Sequence, residues 1–244
     1  MRSAPRRSVH ALPCAHYVRI ARTTFRTGTP LSHLNLRTCR RIAAAAVALT
    51  FASVLSPAAA QAAELRFTDA THDVVKVDLL DDSGDIVPDP TTTNADVKSG
   101  YIHYRKGRLV LRANFVDLKR DANTLTTFTG MIRTNEKRHW YYDVTTSPGR
   151  YAGHDTLETG SGRRTCEIGH MFDYTANFAR VSIPLRCLSQ PKWVQIRMAA
   201  ATLTFDEKAL ESGELKPGSL ELHADDALSD TSDFTAWSPR VRRG

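Results

Sequence analysis

Residues 166–187 read CEIGHMFDYTANFARVSIPLRC, and the reading of this stretch decides the fold. If the backbone reverses about Ala176 and Asn177, Cys166 faces Cys187, Ile168 faces Leu185, His170 faces Ile183, Phe172 faces Val181 and Tyr174 faces Ala179. That face is almost entirely apolar. The opposite face sets Glu167 against Arg186 and Asp173 against Arg180, two complementary ion pairs on a solvated surface. A slip of one residue would scramble both faces, so the pattern predicts an antiparallel hairpin with its cysteines bonded. Closing that loop contributes about 3 kcal/mol in the chain-entropy picture. Pro184 has no N–H to give to a ladder, which calls for an edge position or a bulge near Gly169 and Pro184.

Working outward, residues 101–105 and 108–116 flank Lys106-Gly107, a short reversal that predicts a second hairpin with Tyr104 opposite Leu109 and Ile102 opposite Leu111. Further β-type runs cover 74–79, 125–134, 138–144 and 192–205, separated by loops rich in Asp, Thr, Ser, Pro and Gly. No long stretch has helical periodicity, although the Asp-Glu-Lys-Ala-Leu-Glu composition within 205–212 suits a short helix. Many short strands between turn signals predict an all-β fold, an antiparallel β-sandwich of jelly-roll-like type. Residues 63–244 contain no repeat or Gly/Ser linker and read as a single domain.

The first acidic residue of the chain is Glu64. Ahead of it, Arg40 and Arg41 lead into an apolar run over 42–55 and then small residues, the order of a signal peptide with cleavage near Ala62. Residues 42–62 are therefore expected to be removed on export, leaving a secreted product with no membrane anchor. Residues 1–41 are too long for an ordinary n-region and read as an unstructured extension, consistent with a true start further downstream. The formal charge of +7 belongs to this precursor: it carries nine of the 33 Lys and Arg, and the 24 that remain face 26 Asp and Glu, a net of −2. Nucleic acid is thus not an expected partner, since phosphate binding gains from a cationic face. Cys14 and Cys39 go with the precursor, leaving Cys166 and Cys187 as the pair for an oxidising compartment.

The densest acidic stretch is Asp78, Asp81, Asp82, Asp85, Asp89 and Asp96. Two readings stand for it: an Asp-rich turn whose carboxylates bond their own backbone, or a loop for a structural calcium ion with Asp81, Asp85 and Asp89 as the ligands, although Ile86 and Thr92 replace the Gly and Glu of an EF-hand. A second set, Asp69, Asp73, Asp225 and Asp226, would converge only if both ends of the domain pair in one sheet. No Gly-x-Ser-x-Gly and no His-x-x-x-His occurs, and Gly160-Ser161-Gly162 reads as a turn, so no catalytic residue is assigned. Adjacency alone does not make His154-Asp155 a dyad. In Trp140-Tyr141-Tyr142 the side chains alternate, so Trp140 and Tyr142 share one face. With Trp193 and Trp237 as further aromatics, two readings stand: these side chains fill the sandwich core, the commoner fate, or Trp140 and Tyr142 lie on a sheet face as a carbohydrate-binding pair.

The segments Phe67-Thr68-Asp69-Ala70, Arg133-Thr134-Asn135-Glu136, Cys187-Leu188, Pro191-Lys192-Trp193-Val194 and Ala224-Asp225-Asp226-Ala227 are similar to those of a group of secreted actinobacterial proteins without an assigned activity. That resemblance implies a secreted β-sandwich. The functional expectation is a non-enzymatic module for an extracellular ligand, a glycan or cell-wall polymer; the alternative is a secreted glycoside-type hydrolase using dispersed carboxylates.

Overall fold

The computed structural model describes residues 63–162, 166–229 and 236–244; the expected extension 1–41 and signal segment 42–62 lie outside them. In chain order the described strands are β1 (Glu64–Thr68), β2 (Val75–Asp78), β3 (Ile86–Pro88), β4 (Val97–Arg105), β5 (Arg108–Phe115), β6 (Thr124–Thr134), β7 (His139–Ser147), β8 (Arg150–Thr159), β9 (Gly169–Asp173), β10 (Phe178–Pro184), β11 (Trp193–Phe205), β12 (Leu220–Asp226) and β13 (Val241–Arg242). A short helix, α1 (Glu207–Ser212), follows β11 where the sequence places it. The Asp206 carboxylate accepts from the Lys208 and Ala209 N–H groups at its start, and Gly213 ends it at φ 75°.

The strands form two antiparallel sheets, β1-β4-β5-β10-β9 and β3-β2-β12-β11-β6-β7-β8. β13 pairs with β11 beyond the end of β12. The fold is an all-β sandwich, as expected. Alternation sends Ile102, Tyr104, Leu109 and Leu111 inward from one sheet and Phe128, Ile132, Trp140 and Tyr142 inward from the other, all buried. The 101–116 hairpin has the expected register, with Tyr104 opposite Leu109 and Ile102 opposite Leu111. Among the described residues no helix is long and apolar enough to cross a membrane, which says nothing of a crossing built from strands.

The cysteine hairpin exists, but its register differs from expectation by two residues: Phe172 faces Ala179 and His170 faces Val181. The reason is the turn. Asp173 Oδ1 accepts from the Thr175 and Ala176 N–H groups at 3.0 and 2.9 Å, and Asn177 adopts φ 53°, so four residues rather than two separate the paired Asp173 and Phe178. An even shift preserves the faces. Phe172, Val181 and Ile183 remain in the core and Arg180 remains exposed. Neither expected ion pair is among those of the described residues: the Asp173 carboxylate is used inside the turn and Arg180 reaches Met171 Sδ at 3.9 Å, while Glu167 lies beyond the ladder and Arg186 in the 3-10 turn that follows β10. Pairing of β9 with β10 stops at Gly169 and Ser182. The Cys166–Cys187 disulfide closes beyond it, with Cα atoms 5.8 Å apart, from the 3-10 turn Leu185–Leu188. Pro184 ends β10 at the point where that turn takes over, so no bulge is needed.

Candidate functional site

The condition for the second acidic set is met. β12 pairs with β2 through Ala224 and Val75, so the two ends of the domain meet in one sheet. Asp69 directly follows β1, Asp73 lies just before β2, Asp96 directly precedes β4, and Asp225 and Asp226 end β12. One ligand oxygen from each of Asp73, Asp96 and Asp225 lies within 4.8 Å of the others. Backbone amides hold these acids in place: Asp69 Oδ1 accepts from Ala70 N–H (3.1 Å), Asp96 Oδ2 from His72 N–H (2.9 Å) and Asp225 Oδ2 from Val97 N–H (2.7 Å). The sequence groups Asp96 with the 78–89 acids by proximity along the chain; the fold takes it to the other set. Its flanking Ala95 and Val97, both buried, were the available signal of an acid entering the core.

Asp96 and Asp225 are 0% and 3% exposed, and neither they nor Asp69 pairs with a cationic side chain among the described residues. Burial is the main cause of their electrostatics. Burial, with the charges of Asp225, Asp73 and Asp226 added, pushes Asp69 up to about 8. Burial also pushes Asp225 up to about 7 against the Val97 hydrogen bond, helped by Asp73, Asp96 and Asp226. Burial raises Asp96 as well. The unfolded carboxyls release their protons near 3.8, so the stability these protons supply is full below that pH and is lost as pH rises towards 8. With metal removed by a chelator, the double substitution Asp69→Asn, Asp225→Asn should therefore gain stability over the native protein steadily from pH 4 to pH 8. Urea denaturation across that range reads the difference; a flat difference would show that the two carboxyls titrate normally.

The structure does not bring Asp81, Asp85 and Asp89 together. Asp81 accepts from Ser83 N–H and Oγ in an exposed turn, and β3 separates Asp85 from Asp89. Asp89 accepts from Thr91 and Thr92 hydroxyls and from His223 Nδ1 at 2.6 to 2.7 Å. Burial works against its ionisation, but those hydrogen bonds outweigh it and hold its carboxyl well below the usual range.

Trp140 and Tyr142 are 2% and 0% exposed and belong to the core rather than to a carbohydrate surface. The face expected for them is instead the inward one, because β7 is covered by the opposite sheet. Outward positions of the larger sheet carry Arg133, His139, Tyr141 and Arg197, and the half-buried Trp237 lies over Arg133 and Arg197 and beside His139. Its ring centre is 4.5 Å from the Arg133 guanidinium, 4.4 Å from that of Arg197 and 6.1 Å from the His139 ring. His154 and Asp155 do not form a dyad: Asp155 Oδ2 meets His170 Nδ1 at 2.5 Å, and His170 Nε2 is taken by the Ala152 carbonyl at 3.0 Å. With both ring nitrogens engaged, His170 fastens β8 to β9 and has no nitrogen to activate a nucleophile.

A depression of about 570 Å³ is lined by Lys106, Gly107, Pro184, Leu185, Arg186, Gln190, Arg243 and Gly244, and one of about 400 Å³ by Arg138, His139, Trp140, Thr159, Gly160, Ser161, Cys187 and Ser189. Neither has an Asp or Glu in its wall. In comparisons with known proteins, no family model matches the chain and no curated protein sequence matches it.

Proposed function

We propose that this chain is a secreted, non-enzymatic β-sandwich module that binds an extracellular polysaccharide on the outer face of its larger sheet. The observation that carries the reading is Trp237, a half-buried indole set over two guanidiniums on that face. A sugar ring presents C–H groups that stack on an indole, and arginine N–H groups donate to hydroxyl or carboxylate oxygens beside it. Stacking on Arg133 and Arg197 holds the indole in one orientation, which lowers the entropy lost on binding. The Cys166–Cys187 bond supports export to an oxidising compartment. On a glycan array, the native protein should retain a polysaccharide that Trp237→Ala binds about tenfold more weakly. Binding indifferent to that substitution would remove the face from consideration.

One observation favours the hydrolase alternative. Asp143 and Glu158 share the outer face on neighbouring strands, and burial, with a contribution from the Glu158 charge, raises the Asp143 carboxyl, as a general acid requires. Release of reducing ends from the retained glycan, abolished by Asp143→Asn, would replace the binding reading with this one.

A further inference from the structure

We propose that Asp73, Asp96 and Asp225 bind a divalent cation, calcium by the chemistry of the ligands. The geometry suits the ion: oxygens that share one calcium at roughly 2.4 Å lie no more than about 4.8 Å apart, and the three carboxylates offer oxygens within 4.8 Å of one another. A second, independent feature points inward. The Asp96 side chain is 0% exposed, and while Oδ2 is held by the His72 N–H, Oδ1 is buried with no hydrogen-bond partner. A buried carboxylate oxygen without a donor is costly unless a cation meets it. Asp69 Oδ2, at the rim of the same group, is also buried without a partner.

The amide bonds to Asp96 and Asp225 fix one oxygen of each carboxylate and leave the other for a ligand, so the ordering cost is met by the fold before an ion arrives. The ligand set consists of oxygen donors only, without His or Cys, which disfavours zinc and copper. Magnesium, at about 2.0 to 2.1 Å, demands a tighter octahedron and keeps its waters, so it is the weaker competitor. Asp73 lies on the 69–74 connection that crosses from β1 in the smaller sheet to β2 in the larger; Asp96 leads into the smaller sheet and Asp225 ends β12 in the larger. One ion would therefore fasten the two sheets at this end of the sandwich. His72, at φ 67°, lies on that connection and supplies the amide that orients Asp96.

The test uses calcium chloride on protein first treated with a chelator. At a hundredfold excess over the dissociation constant, calcium should raise the melting temperature by roughly 5 to 10 °C, and titration calorimetry should report one site per chain, with magnesium giving a smaller shift. Asp96→Asn and Asp225→Asn keep the side-chain shape and remove mutual repulsion, so both variants should fold in chelator, as circular dichroism will show. Each should weaken calcium binding at least tenfold, and together they should abolish the shift. Asp81→Asn with Asp85→Asn should leave it intact. Equal melting temperatures in chelator and millimolar calcium, or a calcium shift that survives Asp96→Asn with Asp225→Asn, would overturn the assignment.

Discussion

Replacing Gly130 with alanine should cost about 3 kcal/mol or more and lower the melting temperature by on the order of 10 °C. Gly130 lies in β6 between β7 and β11, directly opposite Tyr142 on one side and Met198 on the other. A Cβ there would overlap the Arg197 carbonyl oxygen and lie 2.8 Å from the Tyr142 hydroxyl and 2.9 Å from its ring. The ring can yield by a rotamer change, but Tyr142 is fully buried and packs edge-on against Phe128 at 5.5 Å. The carbonyl can yield only if β11 moves away from β6, and the 11-residue ladder between them holds it. The smaller sheet repeats the device, with Phe67 lying across Gly100. In each case an aromatic ring covers a glycine on the neighbouring strand and takes the space its side chain would need. Gly149→Ala is the control: it has φ 75° and no atom within 4 Å of a Cβ, so it should lose only about 1 kcal/mol from backbone conformation. A Gly130→Ala protein melting within about 2 °C of the native one would show that the central strands separate more easily than this packing implies.

Loss of the disulfide is expected to be of similar size. Cys166→Ala, or Cys166→Ala with Cys187→Ala, should destabilise the domain by roughly 3 kcal/mol and lower its melting temperature by several degrees. The bond spans 21 residues of sequence and ties a non-strand segment ahead of β9 to the 3-10 turn after β10. The β9–β10 ladder stops short of both cysteines, so the bond closes the hairpin beyond its last backbone pair. Cys187 is 8% exposed and Leu185 and Leu188 beside it are buried, so the alanine also leaves a small void in the core. Thiol titration of the native protein should find no free Cys166 or Cys187. Two titratable thiols there, or a variant melting with the native protein, would remove the bond from the account of stability.

Where a strand alternates apolar and polar residues, the local pattern was enough to place the strand and its faces. The 101–116 hairpin, the runs 125–134, 138–144 and 192–205, and α1 all lie where the residues place them, because each is specified by period and by its own turn or cap. The cysteine hairpin shows the limit of that method. Its faces follow from alternation, which survives an even shift, but its register depends on how Asp173 and Asn177 close the turn. β8 and β12 carry His, Asp and Gly where a strand pattern calls for apolar residues, and only their neighbours in the sheet make them strands.

The candidate site divides in the same way. Composition alone determined that Asp and Glu narrowly outnumber Lys and Arg from Glu64 onward, 26 to 24, and that hard oxygen ligands were the available metal chemistry. Which acids meet was decided by the pairing of β2 with β12, a contact between segments some 145 residues apart, as in the Lys76–Glu221 ion pair. Density along the chain favoured Asp81, Asp85 and Asp89, but crowding in sequence does not make carboxylates converge: Asp81 bonds its own exposed turn, and Asp89 turns to Thr91, Thr92 and the distant His223. Burial is what strips Asp96 and Asp225 of water and leaves an oxygen of Asp96 without a donor. The apolar neighbours Ala95 and Val97 mark Asp96 as an acid entering the core, but which carboxylates it meets there is a property of the packed sheets that no local pattern contains.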